Sequence, residues 1–213
     1  MGEFFNPEKG VWAWLSTAVD IVGLSILWTF LCLPAVTAGP ATAALYYTVV
    51  KCVRRRESGA FGYYFRSFRQ NFKTGLLAGF IVIPLALLLF GGHYIVRWYG
   101  TRWGGGAYVL YVAYYFALIL PAGVLCWLFP LLGRFEYTVG GLFRTALQLT
   151  VAHLPSTVVV VLLTAQTAVF CIEEWWPVVF MPAVATLLIS LFFERIFQKH
   201  SPEPEDPEPP SAI

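Results

Sequence analysis

Apolar residues run along this chain in long stretches, and polar residues are mostly confined to the connectors between them. Four stretches, 75–96, 107–132, 154–172 and 177–197, are long enough to cross a bilayer as helices, which takes about 20 apolar residues each. Pro84, Pro121 and Pro182 fall inside them. An interior proline breaks a helix in water, but in lipid neighbouring groups satisfy the freed carbonyls. These three therefore predict kinks rather than ends.

A further apolar region, 14–53, has about twice the length of one crossing and is interrupted by Leu33-Pro34-Ala35-Val36-Thr37-Ala38-Gly39-Pro40. Two prolines and a glycine so close together stop a straight helix. The pattern predicts two short helices, 15–33 and 40–53, joined by a tight turn. They form either a hairpin that crosses twice, the preferred expectation, or one crossing beside a segment lying in the interface.

Two connectors switch to 3–4 spacing. In 60–73 the residues Phe61, Tyr64, Phe65, Phe68 and Phe72 fall on one side, with Arg66, Arg69, Gln70 and Lys73 on the other. In 138–153 Leu142, Phe143, Ala146, Leu147 and Val151 oppose Arg144 and Gln148. Both read as amphipathic helices suited to a membrane surface. At an offset of 78 residues Phe65-Arg66 matches Phe143-Arg144, Gln70 matches Gln148, Arg56 matches Arg134 and Gly62 matches Gly140. The matches suggest a weak duplication of a span–amphipathic helix–span unit. Selection of Phe, Arg and Gln by any interfacial helix explains them equally well. The expected fold is an all-α membrane protein: a bundle of five to six transmembrane helices with a Pro/Gly-broken first region and two cytoplasmic amphipathic helices. It forms one polytopic domain over 1–198.

Composition sharpens this picture. The chain has 213 residues, 58% hydrophobic and only 12% charged, against about 25% charged in soluble domains. That excludes a soluble enzyme of ordinary surface, a nucleic-acid reader and a disordered chain. The exception is the tail, 199–213, where Glu203, Glu205, Asp206 and Glu208 stand among prolines. With nothing to bury, it is expected to be disordered. The first ten residues show neither the basic stretch nor the cleavage site of a removable signal peptide. Basic residues stay preferentially in the cytoplasm. Lys51, Arg54, Arg55, Arg56, Arg66, Arg69, Lys73, Arg134, Arg144, Arg195 and Lys199 fall on one side of the predicted spans, and Arg97 and Arg102 on the other. The expected location is the cell membrane, multi-pass, with the C-terminus cytoplasmic and, if the hairpin holds, the N-terminus too. Trp12, Trp14, Trp98, Trp103, Trp175 and Trp176 lie near span ends, where aromatic rings prefer the headgroup zone.

Candidate chemistry is sparse. Cys32, Cys52, Cys126 and Cys171 stand singly in apolar runs, without metal-ligand or redox spacing. They are expected to be free and buried. Asp20 is an ionisable group at membrane depth, where such groups are costly and often functional; capping the first helix explains it as well. His93 and His153 lie near span ends and read as interfacial hydrogen-bonders. Glu136 is expected to pair locally with Arg134, and Glu173-Glu174 to form a solvated turn. Gly104-Gly105-Gly106 reads as a flexible connector. No GxSxG, HExxH, P-loop or GxGxxG occurs, so no enzyme, cofactor or metal site is expected.

Several stretches resemble the YesL family of bacterial membrane proteins, which carry a domain of unknown function. They are Phe4-Phe5-Asn6; Leu27-Trp28 followed by Leu33-Pro34, Thr37, Gly39-Pro40 and Ala43-Ala44-Leu45-Tyr46; Phe65, Phe68 and Asn71-Phe72-Lys73; and His153-Leu154-Pro155. Ser25 stands where the family pattern leads one to expect asparagine, which forgoes an interhelical hydrogen bond. The resemblance implies an integral membrane protein without an assigned reaction, accompanying ATP-driven carbohydrate uptake. A non-catalytic accessory or regulatory role is the first expectation; a small transporter or channel acting by itself is the alternative. Partners are then the lipid bilayer and a transporter or sensor protein, and no nucleic acid. The candidate functional or helix-break positions are Asp20, Pro34, Thr37, Gly39 and Pro40. The candidate docking face is Arg66, Arg69, Asn71, Lys73 and Arg144.

Overall fold

A computed structural model describes residues 11–55, 57–100 and 105–200. Among them all regular structure is helical: α1 (Val11–Cys32), α2 (Ala38–Thr48, continued to Arg54 in a wider π-type turn), α3 (Ala60–Gly100), α4 (Gly105–Arg134), α5 (Val139–Ala152), α6 (Leu154–Glu173) and α7 (Met181–His200). Residues 1–10 and 201–213, and with them the expectations for Phe4-Phe5-Asn6 and the acidic tail, lie outside the described residues, as do Arg56, Arg102 and Trp103.

The first apolar region is interrupted between Cys32 and Ala38, with Pro34 in the interruption and Pro40 inside α2. A short 3₁₀ turn, Ala35–Thr37, joins α1 to α2, and Ala35 takes a φ of 33°, a region L-residues seldom adopt. The two helices run antiparallel, tied by the Trp28 indole N–H donating to Thr42 at 3.1 Å. Buried positions line most of α2 (Ala41, Ala43, Ala44, Leu45, Tyr46, Thr48), which places it at the centre of the bundle. Ser25 does make an interhelical bond after all: its Oγ accepts from the backbone N–H of Ala183 at 3.2 Å. That donor is in the first turn of α7, where backbone N–H groups have no partner within the helix.

The largest departure from expectation is α3. The predicted amphipathic segment 60–73 and the following span are one continuous helix of 41 residues. At 1.5 Å per residue it is about 60 Å long, twice the roughly 30 Å of bilayer hydrocarbon. Only part of it fits in lipid, and exposed Arg66, Arg69 and Lys73 mark the part that does not. No helix break separates the two because nothing in Lys73-Thr74-Gly75-Leu76 removes a backbone donor; Gly75 is tolerated for the close packing it permits.

α3 runs back along α2. The Tyr47 and Tyr63 rings are 6.3 Å apart, and the Tyr64 hydroxyl donates to the Ala41 carbonyl at 3.1 Å. The two backbones meet at Gly39 and Gly75: a Cβ on Gly75 would stand 2.8 Å from the Pro40 nitrogen, and one on Gly39 would collide with the Gly75 carbonyl. Small residues permit such approach between helices in lipid. α5 runs back along α4 in the same manner, with Leu142 and Ala146 buried in one cluster with Leu131 and Leu132. At the heart of that cluster the Trp127 ring stacks on Phe193 at 3.9 Å.

Five helices (α1, α3, α4, α6 and α7) are long and apolar enough to cross a membrane. Their outward faces carry large apolar side chains such as Leu88, Phe116 and Ile172, each more than two-thirds exposed, a surface untenable in water on this scale. Pro84 and Pro121 lie inside helices. Pro182 does not: the chain turns at Phe180 between a 3₁₀ segment and α7, leaving Pro182 in the first helical turn. There its missing N–H costs little. Gly105 and Gly106 open α4 rather than forming a loop.

Candidate functional site

Among the described residues, a buried charged cluster lies where the ends of α2 and α4 meet α7. Glu194 on α7 is 1% exposed. It forms an ion pair with Arg134, the last residue of α4, whose side chain is 9% exposed. The other carboxylate oxygen accepts from the Tyr46 hydroxyl of α2 at 3.1 Å. One turn earlier on α7 the Ser190 carbonyl accepts from the Arg54 guanidinium at 3.0 Å. Arg134 also lies 5.7 Å from the ring centres of Phe135 and Phe197, within cation–π reach. A buried charge is tolerated only when paired and hydrogen-bonded, and each oxygen of Glu194 has its own donor.

The expected local pair of Arg134 with Glu136 is thus replaced. Glu136 is exposed, and the partner is sixty positions away in sequence. The sequence held one signal for it: Glu194 is the single acidic residue in the apolar run 181–198, and a lone acid there invites a search for its cation. Tyr46 and Arg54 carried no such mark.

Three cavities adjoin the cluster. An apolar one of about 400 Å³ lies among α1, α2, α4, α6 and α7, with Trp28, Phe129, Thr164 and Pro182 in its wall. Its threonines Thr42, Thr164, Thr167 and Thr186 donate to carbonyls four residues back in their own helices. A neck of about 40 Å³ lies between Tyr46, Lys51, Arg55, Arg134 and Glu194. A polar cleft of about 440 Å³ opens outward between Tyr47, Gln70, Asn71, Thr74, Arg134 and Tyr137. Tyr46 is common to the first two linings, and Tyr47, Gly133 and Arg134 to the last two.

The candidate positions fall apart into separate places. Asp20 is half-buried on α1. Pro34 is exposed in the turn, and the Thr37 hydroxyl donates to the Leu31 carbonyl, serving the end of α1. Gly39 and Pro40 are buried against Gly75. Arg66, Arg69, Lys73 and Arg144 are exposed. Asn71 belongs elsewhere: half-buried, its amide donates to the Ser67 carbonyl at 3.1 Å, and it lines the cleft. The single apolar faces expected for 60–73 and 138–153 are divided. Ala60, Tyr64 and Ser67, like Leu142, Ala146 and Thr150, are buried, while Phe61, Phe65, Phe72, Leu147 and Val151 point outward. All four cysteines are free. Among the described residues no three His, Cys, Asp or Glu side chains group as metal ligands.

Fold and surface together define an all-helical, multi-pass membrane protein. Within it, residues 21–91 match the model of a family described as proteins of unknown function, DUF624. The match takes in the latter part of α1, all of α2 and most of α3. No curated protein and no solved structure matches the chain.

Proposed function

We propose that this chain is a non-catalytic accessory or regulatory component of a membrane transport assembly, and that the basic side of α3 before Gly75 receives its partner, a transporter or sensor subunit. The supporting observation is the division of that segment into three faces. Ala60, Tyr64 and Ser67 pack inward, Phe61, Phe65 and Phe72 are exposed on one flank, and Arg66, Arg69 and Lys73 on the other. Phenylalanine favours acyl chains, and basic groups favour headgroups or an acidic partner. Both are satisfied when the segment stands at the cytoplasmic end of the span, with its phenylalanines toward acyl chains and its basic groups at headgroup level or beyond. The excess of basic residues at 51–73, 134–144 and 195–199 supports a cytoplasmic C-terminus, and the α1–α2 hairpin a cytoplasmic N-terminus. Carbohydrate uptake is the context that the YesL resemblance implies, and its transport subunits are the first partners to seek.

Photo-crosslinkers placed at Arg69 and at Leu88 in native membranes test this reading. The expected result is a defined adduct with a transport subunit from position 69 and lipid adducts alone from position 88. Lipid alone from both overturns it. A second reading, a small transporter acting by itself, is favoured by the cavity of about 400 Å³ that shares Tyr46 with the polar neck. Uptake of labelled sugar or ion by proteoliposomes holding this protein alone would establish that reading and displace the first.

A further inference from the structure

The inward side of α6 faces space along much of its length. The helix is held near its two ends: Thr157 accepts the Trp127 indole N–H at 2.9 Å and Val160 sits in the central cluster, while the Phe170 ring lies 6.3 Å from that of Trp176. Thr157 and Val160 are its buried residues, both in its first two turns. Further along, Thr164, Thr167, Ala168 and Cys171 follow 3–4 spacing, which puts them on one side of the helix, and they line the apolar cavity of about 400 Å³. Thr164 and Ala168 are nevertheless exposed, so the cavity is open rather than sealed. Small side chains usually let helices in lipid close up. Here Trp28, Tyr46 and Phe129 stand on the other walls and keep the gap. From Thr164 to Cys171 it follows α6 for about 10 Å, at 1.5 Å per residue.

The walls define what fits. The Trp28 indole donates to Thr42, and the Tyr46 hydroxyl to Glu194. Thr42, Thr164, Thr167 and Thr186 donate to carbonyls of their own helices. These donors are committed, so an anion gains little from them, and Leu45, Phe129 and Ile189 add only apolar surface. A void of this size is costly to leave empty, because the penalty grows with volume, and water does not settle in an apolar space. We propose that the cavity seats one acyl chain, lying along α6 as the packing partner of its small-residue side. Such a chain has two sources, the tail of a phospholipid or a free fatty acid. A seated chain also closes the way from the cavity past Tyr46 to the neck, which a transporter acting by itself would need. The site does not depend on the partner proposed for α3.

The full chain, delipidated in digitonin micelles whose rigid rings do not fit a slot one chain wide, is titrated with a phosphatidylcholine or a free fatty acid carrying a mid-chain diazirine. After illumination, adducts are mapped by peptide mass spectrometry. Adducts on Cys126 and Thr164, in the cavity wall, are expected to saturate at one label per protein. Those on Leu88 and Phe116, on the outward faces, should grow in proportion to the probe. Saturation with phosphatidylcholine assigns a phospholipid tail, saturation with the fatty acid alone a free acid, and saturation with both a chain held without regard to its headgroup. Ala168→Phe and Thr167→Leu each fill the slot from α6. Each is expected to abolish the wall adducts, to spare those at Leu88 and Phe116, and to keep or raise the unfolding midpoint of the chain-free protein, as cavity filling does. Two positions keep a folding defect in one variant from deciding the result. Wall adducts that are absent with both probes, that grow without saturating, or that persist in both variants overturn the proposal.

Discussion

Two returns of the chain, α2 into α3 and α4 into α5 and α6, follow the same plan and end differently. In each, an apolar helix runs to a basic turn, and an amphipathic segment then climbs back along it with a buried stripe one side chain wide. In each, an arginine from the turn docks on α7, Arg54 on the Ser190 carbonyl and Arg134 on the Glu194 carboxylate, one helical turn apart. The sequence offset of 78 residues pairs 60–74 with 138–152, which are the two climbing segments. The shared plan is therefore set by where apolar and basic residues fall. The difference is local. α3 passes Gly75 without a break, whereas the second return stops at His153, whose φ of −123° and ψ of 47° are not helical.

The anchors on α7 differ most in energy. Removing Glu194 leaves Arg134 buried without its counter-charge, and breaking such a pair costs about 3–5 kcal/mol. Arg54→Ala removes a charged hydrogen bond to a carbonyl, worth about 1.5–3 kcal/mol. Unfolding in mixed micelles titrated with a denaturing detergent should thus rank Glu194→Ala well below Arg54→Ala. Replacing both partners, Arg134→Met with Glu194→Leu, should recover most of the loss because no buried charge remains. Equal losses from the two single variants would show that the two anchors are equivalent.

The contact between climbing and descending helices is the next place to separate the two returns. In the first, Gly75 and Gly39 bring backbone against backbone, so a methyl on Gly75 has only the Pro40 ring and main chain to displace. Gly75→Ala is expected to cost about 1–3 kcal/mol, as overpacking does. In the second, Gly123 faces the methyl groups of Thr150 and Thr157, short branched side chains that are fully buried and hydrogen-bonded to helix carbonyls, so they yield little. Gly123→Ala should cost at least as much as Gly75→Ala in the same unfolding assay, and a clearly smaller cost would mean that the two contacts are not built as described.

These contacts also explain how far the sequence could be read. Long apolar runs, an interruption after Cys32 and the basic turns are local patterns, and the helices follow them, although Gly39 and Pro40 lie inside α2 rather than in the interruption. The pairing of Arg134 with Glu194 is not local. Glu136, two residues away, was the nearer acid, and only the approach of α7 decides between them. Likewise Phe61, Phe65 and Tyr64 share an apolar character, but which of them faces the core depends on α2 lying against α3. Helical spacing fixes an angle around the axis and says nothing of how many neighbours the helix has. The continuity of α3 is hidden for a related reason: a change of composition at Gly75 looks like a boundary, although no backbone donor is lost there.

The break at His153 poses the finest question, because two devices coincide. Pro155 sits in the first turn of α6. Thr157 places its hydroxyl 3.0 Å from the His153 carbonyl and 3.3 Å from that of Thr150, and accepts the Trp127 indole N–H at 2.9 Å. If the hydroxyl holds the break, Thr157→Val strands a buried indole donor and costs about 1–3 kcal/mol.

Pro155→Ala, by contrast, should change stability by less than about 1 kcal/mol, since a first-turn proline lacks only a donor that has no helical partner anyway. Spin labels on cysteines at Thr145 and Ala165, with the four native cysteines replaced, report the geometry across the break. The label distance is expected to stay the same in Pro155→Ala and to change in Thr157→Val. A longer distance in Pro155→Ala would mean that α5 and α6 straighten once the ring is gone. The second return would then differ from α3 by a single proline rather than by the bond to Trp127.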